Sequence, residues 1–307
     1  MSGKSKILAY QLDEETEHQL LDAVQAYNID LFSKHLLSVE ANYKSINSIK
    51  KIVQQLDKFQ QIEWGKKLVK EVTVPHMVIG GYLLDRNSYY KKDPELIIKL
   101  VKEYCHHEDW NVRQSSVDLF LRMVAKTENN MAQQMSDFVH SDDPHYRRLA
   151  LLTAKSIAKS ASYELALKKK LLLIIEDILG EEDPYVQTVS SETFSEGYMK
   201  YCTEMTLNWL SEKLEDTSSI RVKSTVLNIV GSRYVDEHLE NALTIIHQLL
   251  PEEDESIKKA RSSALHTLSE VHHDRVSSFL ESNLHIQQAV DHWAELEADG
   301  SLNSFDI

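Results

Sequence analysis

Glycine and proline are scarce in this chain, with eight and five among 307 residues. β-branched runs bounded by turn residues are missing too, which argues against a sandwich or barrel. No apolar stretch approaches the length of about 18 residues that a membrane-spanning helix needs. The opening MSGKSKILAYQLDEE lacks the apolar core of a secretory signal. A cytoplasmic protein without membrane association is expected. Only two cysteines occur, Cys105 and Cys202, far apart in helical patterns. They are read as reduced, partly buried thiols rather than a disulfide or a zinc site. Positive charge is also in deficit, with 34 Lys and Arg against 48 Asp and Glu, a net charge of −14. That balance argues against indiscriminate coating of nucleic acid, yet leaves room for a local basic groove.

What the chain does hold is a recurring figure. DWNVRQ from Asp109 is followed by DPHYRR from Asp143, DPYVQT from Asp183, DTSSIRVK from Asp216 and DESIKK from Asp254. Its apolar anchors, Val112, Tyr146, Val186, Ile220 and Ile257, are spaced by 34, 40, 34 and 37 residues. Each is followed at once by Arg113, Arg147, Gln187, Arg221 or Lys258. Asp before a first helical turn accepts hydrogen bonds from free backbone N–H groups and suits the positive end of the helix dipole. Pro144 and Pro184 fall where a missing N–H does no harm. One helix pair cannot bury its apolar face alone, so stacked copies share a core.

This spacing predicts helix pairs at 94–106 with 110–126, 128–140 with 144–160, 164–179 with 184–200, 202–214 with 218–232, and 237–250 with 255–270. The D-x-x-V-R element resembles the HEAT repeat, where it opens the second helix of each pair. That resemblance implies a right-handed superhelix of antiparallel helix pairs whose second helices line the concave side. The expected organisation is a single all-α solenoid over 13–297. Residues 13–93 form atypical N-terminal helices, 94–270 five repeats, and 271–297 capping helices. Residues 1–12 and 298–307 are expected to be disordered. In the N-terminal part, Pro75 breaks or starts a helix, Gly80-Gly81 allows close packing, and Asp85–Asp93 reads as a loop.

The five second-helix segments hold 15 cations and 11 anions, a net of +4, while the rest of the chain carries −18. Positive charge therefore collects on one face of an acidic molecule. Arg113, Arg147, Arg221 and Lys258 are expected to pair with neighbouring capping aspartates in a structural ladder. The ladder leaves Arg148, Lys155, Lys159 and Lys223 unexplained. A solvated helix face is their ordinary reading, and contact with an anionic partner is the sharper one. Lys168, Lys169 and Lys170 are read as solvent-facing.

Residues 95–200 further resemble the HEAT-like DNA alkylation-repair glycosylases. The resemblance rests on Asp109-Trp110-Asn111-Val112-Arg113, on Phe138 through Arg148, and on Asp183 through Glu192. It implies a concave face that holds duplex DNA through basic side chains, and base excision by a concave carboxylate helped by aromatic residues. Trp110 and Arg148 match the family pattern. The position of the family's carboxylate, four residues after that Trp, is Gln114, which cannot act as a general base. Glu192 stands where some members have a tryptophan. It is an acidic candidate, although a surface glutamate is the commoner case.

Cys105-His106-His107-Glu108-Asp109 and His272-His273-Asp274 lack the ligand spacing of a zinc site, and no metal or cofactor is expected. The chain is therefore read as a non-catalytic HEAT-like binding protein whose basic face takes an anionic partner such as duplex DNA. The candidate contacts are Trp110, Arg113, Arg147, Arg148, Lys155, Arg221 and Lys223. A glycosylase for alkylated bases and a protein-interaction adaptor are the alternatives.

Overall fold

The computed structural model of the chain describes residues 12–126 and 128–283, the side chains of 126–131 excepted. The tail 298–307, the capping segment beyond Asn283 and the lead-in up to residue 11 lie outside the described residues. Among the described residues the chain is helical and has no strand. It divides into two compact units, 1–134 and 135–307.

The first unit holds α1 (Glu14–Gln25), α2 (Ile29–Leu36), α3 (Tyr43–Val53), α4 (Lys58–Leu68), α5 (Val74–Arg86), α6 (Pro94–Tyr104) and α7 (Trp110–Lys126). Helices α1, α3, α5 and α7 pack in succession, with α4 against α5 and α6 against α7. Pro75 falls in the first turn of α5, so it starts that helix. Gly80 is needed for contact, because a Cβ there would lie 2.8 Å from the Val69 backbone nitrogen. The stretch read as a loop from Asp85 is more ordered than expected: α5 runs to Arg86, and Tyr89–Lys91 form a 3-10 turn. Tyr89 and Tyr90 are buried and anchor it.

The boundary between the units falls within α8 (Glu128–Val139). The second unit continues with α9 (Pro144–Lys159), α10 (Leu165–Ile174), α11 (Pro184–Glu192), α12 (Thr203–Asp216), α13 (Ile220–Val230), α14 (Leu239–Gln248) and α15 (Glu255–Ser282). Helix α11 runs on through a π-helical turn, Thr193–Met199. Helix α15 is kinked at His272, whose φ of −125° is non-helical. Helices α9, α11, α13 and α15 pack in succession, and α10, α12 and α14 back them. Within the unit this is the local order of stacked helix pairs.

The caps form as expected. Asp109 accepts from the Asn111 backbone N–H at 2.7 Å, Asp143 from His145 at 2.9 Å, Asp183 from Tyr185 at 2.8 Å and Asp254 from Ser256 at 2.9 Å. Replacing any one of them by Ala should cost about 0.5–2 kcal/mol, seen as a lower urea midpoint. Four unchanged midpoints would remove the caps from the account.

The fourth copy of the figure has a different register from the one expected. Asp216 ends α12, and the cap of α13 is Ser219, which accepts from the Val222 N–H. Ile220 is 46% exposed and anchors nothing, whereas Val112, Val186 and Ile257 are fully buried. Counted from the cap, the anchor position belongs to Val222 and the position after it to Lys223. Asp216-Thr-Ser-Ser offers four capping side chains in a row, and the sequence does not say which one closes the turn. Lys168 also departs from expectation: it is buried, with the Tyr198 hydroxyl donating to its carbonyl.

Candidate functional site

The first positions to place are the cations after each anchor. Arg113 donates through Nη1 to the carbonyls of His107 at 2.7 Å and Glu108 at 2.6 Å. Arg147 Nη1 donates to the Ser141 carbonyl at 2.7 Å, and Gln187 Nε2 to that of Glu181 at 2.9 Å. In all three the side chain reaches back six residues and ties the preceding turn to its own helix. Arg147 also makes a two-pronged pair with Glu181, Nε to Oε2 at 2.7 Å and Nη2 to Oε1 at 3.3 Å. Lys223 pairs with Glu252. Lys258 pairs with Glu253 at 2.9 Å and Glu255 at 3.2 Å in its own turn. The ladder partners are thus backbone carbonyls and glutamates, where capping aspartates were expected. Those aspartates are already occupied at helix N-termini. Arg221, displaced from the anchor register, bonds the Glu181 carbonyl at 3.1 Å and lies 3.5 Å from Glu182.

Arg261 Nη1 donates to the Leu249 and Leu250 carbonyls, each at 3.0 Å, and several other cations of the second-helix row meet a carboxylate or a ring. Lys155 Nζ lies 2.7 Å from Glu192 and 3.6 Å from Glu196, and its side chain is only 13% exposed. Gly197 packs closely on this lysine: a Cβ on it would stand 3.3 Å from the Lys155 Cγ and 3.4 Å from its Cα. Glu192 is therefore a partner of Lys155. Arg148 instead lies over the Tyr185 ring at 5.3 Å, and His145 meets the same ring edge-on at 5.2 Å. Lys200 sits over Tyr234 at 5.1 Å, and Arg233 over the same ring at 5.7 Å. Lys159 is exposed. The basic face thus resolves into carboxylate-matched lysines and ring-stacked cations. Tyr185 and Tyr234 carry no motif of their own, so only their positions after folding reveal them.

In the first unit Trp110 is 52% exposed at the start of α7. Gln114, one turn on, donates its amide to Asp118 at 3.1 Å. Around Gln114 and Asp118 stands a mixed polar group from α3, α5 and α7. Arg122 grips Asp85 at 2.5 and 2.9 Å. Lys50 lies over Tyr82 at 5.1 Å, and Gln54 donates to the Tyr82 hydroxyl at 2.6 Å. Partial desolvation pushes the Asp118 carboxyl up even though the residue keeps an exposed edge, against the pull of Gln114, Lys50 and Arg122. Burial likewise raises Asp85, although Arg122 holds it.

The two metal-like clusters do not assemble. Cys105 is buried and donates to the Lys102 carbonyl, while His106 bonds the same carbonyl and His107 accepts from the Asp109 N–H. His272 sits at the kink of α15 with Asp236 at 3.7 Å. Among the described residues no group of three or more His, Cys, Asp or Glu could hold a metal ion. Nor is any described helix long and apolar enough to cross a membrane.

Residues 204–298 match the protein family described as DNA alkylation repair enzyme. The match covers less than half of the chain and lies C-terminal to residues 95–200, on which the sequence resemblance rests. No curated protein matches. Two crystal structures of engineered proteins are similar at low identity. One, at 15% identity and a TM-score of 0.31, covers 70% of this chain and 99% of its own. The other, at 14% and 0.35, covers 90% of this chain and 76% of its own.

Proposed function

We propose that this chain, akin to the DNA alkylation-repair family, binds duplex DNA through its second helices without excising bases. The observation that carries the binding half is Arg148 stacked on Tyr185 with His145 at the ring edge. A guanidinium on an aromatic ring makes a flat, positively charged surface of the kind on which nucleic acid settles. In the first unit, exposed Trp110 offers a flat surface of its own. The non-catalytic half rests on Gln114, whose amide is held on Asp118 where the family resemblance calls for a free carboxylate. An amide neither takes a proton nor stabilises a developing cation with full charge.

Internal pairing limits the strength of such binding. Lys155, Lys223 and Arg147 are each matched by a glutamate, so few cations remain for phosphates. Duplex affinity should fall with salt at a log–log slope of only about −2 to −3, as for two or three neutralised phosphates. Fluorescence anisotropy with a short duplex between low and physiological salt measures it. Arg148→Glu should remove most of the signal, and Lys169→Glu should leave it unchanged. Release of methylated bases should stay at background in the wild type. Robust release, lost in Glu192→Gln or Asp118→Asn, would instead establish the glycosylase reading. Binding indifferent to salt would end the DNA reading. The adaptor reading has its own support in a groove of about 680 Å³ between α10 and α12, beside exposed Leu165 and Leu173.

A further inference from the structure

The first unit contains a recess whose charge differs from everything described above. It measures about 710 Å³ and lies between α4 and the connection from α5 to α6. Lys58, Arg86, Lys91 and Lys92 line it, and no carboxylate does. Among the described residues none of the four enters an ion pair or lies over a ring. In a chain with 14 more acidic than basic residues, this neighbourhood stands apart. On the second-helix row, by contrast, Arg147, Lys155 and Lys223 each face a glutamate.

The floor of the recess is built from fixed parts. Gln61, 6% exposed, donates to the Leu56 carbonyl at 2.7 Å and accepts from Asn87 at 2.9 Å. Asn87 also donates to the Leu83 carbonyl at 2.8 Å, so the end of α5 is pinned to α4. Ser88 then turns the chain in the left-handed region, at φ 52°. A non-glycine residue there is sterically disfavoured and persists only where its surroundings impose it. Here buried Tyr89 and Tyr90 impose it, and the 3-10 turn they hold carries Lys91 and Lys92 to the rim.

We propose that this recess is a binding site for a multiply charged phosphate group. Gathering four cations around a lining that holds no carboxylate is unfavourable within the protein itself and becomes favourable when an anion enters. The lining is polar, with Ile62 its single apolar side chain, so charge and not a base or an acyl chain is what it recognises. The phosphates can come from a free polyphosphate or from a nucleic-acid backbone. The free form does not depend on the DNA reading above, and the backbone form deepens it.

Calorimetric titration of the full chain with tripolyphosphate, at low salt, tests the site. The wild type should bind, K91A/K92A should bind about tenfold or more weakly, and Lys91→Arg with Lys92→Arg should bind as the wild type does. Both lysines are exposed, so circular dichroism and melting should show the folded state unchanged. Duplex titrations then separate the sources. If K91A/K92A weakens duplex binding and tripolyphosphate competes with duplex, the backbone occupies the recess. If K91A/K92A leaves duplex binding alone, a free polyphosphate is the ligand. Arg148→Glu should spare tripolyphosphate binding in either case, so the failure of one site is distinguishable from failure of the other. No binding by the wild type, or undiminished binding by K91A/K92A, overturns the proposal.

Discussion

Arg147→Ala should cost the second unit about 2–3 kcal/mol, less than the ~3–5 kcal/mol for breaking a fully buried ion pair, because this pair is half-buried. The side chains of Arg147 and Glu181 are 16% and 10% exposed. Glu181 also accepts backbone N–H bonds from Glu182 and Asp183, each at 2.9 Å. Removing the guanidinium strands a carboxylate that those two donors alone must satisfy, and frees the Ser141 carbonyl it had bonded. Burial pushes the Glu181 carboxyl up, but the Arg147 bond and the two N–H groups prevail and leave it below its ordinary value of 4.5. A carboxyl depressed in the folded state stabilises the protein above its unfolded value and stops doing so as pH falls through the folded one. The wild type should therefore lose this contribution below about pH 4.5, and Arg147→Ala should show little of that acid-side decline. Urea unfolding at a series of pH values reads both effects. Arg147→Met with Glu181→Leu should regain much of the loss, since an apolar pair leaves no charge unmatched. An unchanged midpoint in Arg147→Ala would show that the pair holds nothing together.

Gly231→Ala should destabilise the same unit by about 2–3 kcal/mol or more, as overpacking does in a closed contact. A Cβ on Gly231 would lie 2.5 Å from the Ala264 Cα and 2.6 Å from its Cβ. Backbone cannot swing aside like a side chain, so α13 and α15 would have to separate along their whole contact. At this C-cap position, φ −69°, Ala alone would gain about 0.4–1 kcal/mol by restricting the unfolded chain, and the clash reverses that sign. Gly180→Ala is the control, because its Cβ would meet only Val222 Cγ2 at 3.5 Å. Thermal melting should separate the two variants by several degrees. Equal melting points would contradict the close approach at Gly231.

Much of the architecture could be read from local chemistry. Asp109, Asp143, Asp183 and Asp254 mark their helix starts because a cap acts within two residues of itself. The same locality failed at Asp216, where four neighbouring side chains could each close the turn. The partners of the basic face were hidden for the opposite reason: they lie one repeat away. Arg148 meets Tyr185, Lys155 meets Glu192, and Arg122 meets Asp85, all at a separation of 37 residues. Lys67 meets Asp30 across the same 37 residues, in the N-terminal helices that carry no visible motif. A search for complementary residues at one repeat length would have found these pairs, and so shown which lysines were already occupied. Lys168 misled because a run of three lysines suggests solvent, while its neighbours Leu171 and Leu172 turn that side of α10 into the core. The recess beside Lys91 is built from α4 and the α5–α6 turn. Its ingredients were legible, but their convergence was not.

The π-helical turn at Thr193–Met199 has a consequence of phase. A π turn closes on the fifth residue back where an α turn closes on the fourth, so it stores one residue more in the same hydrogen-bonded span. Everything beyond it is rotated by about 100° relative to an uninterrupted helix. Before the turn, Glu192 is timed to meet Lys155; after it, Lys200 is timed to meet Tyr234. A regular helix could keep one of these appointments and would miss the other. The extra residue acts as a leap day, inserted once so that two neighbouring repeats of unequal length stay synchronised.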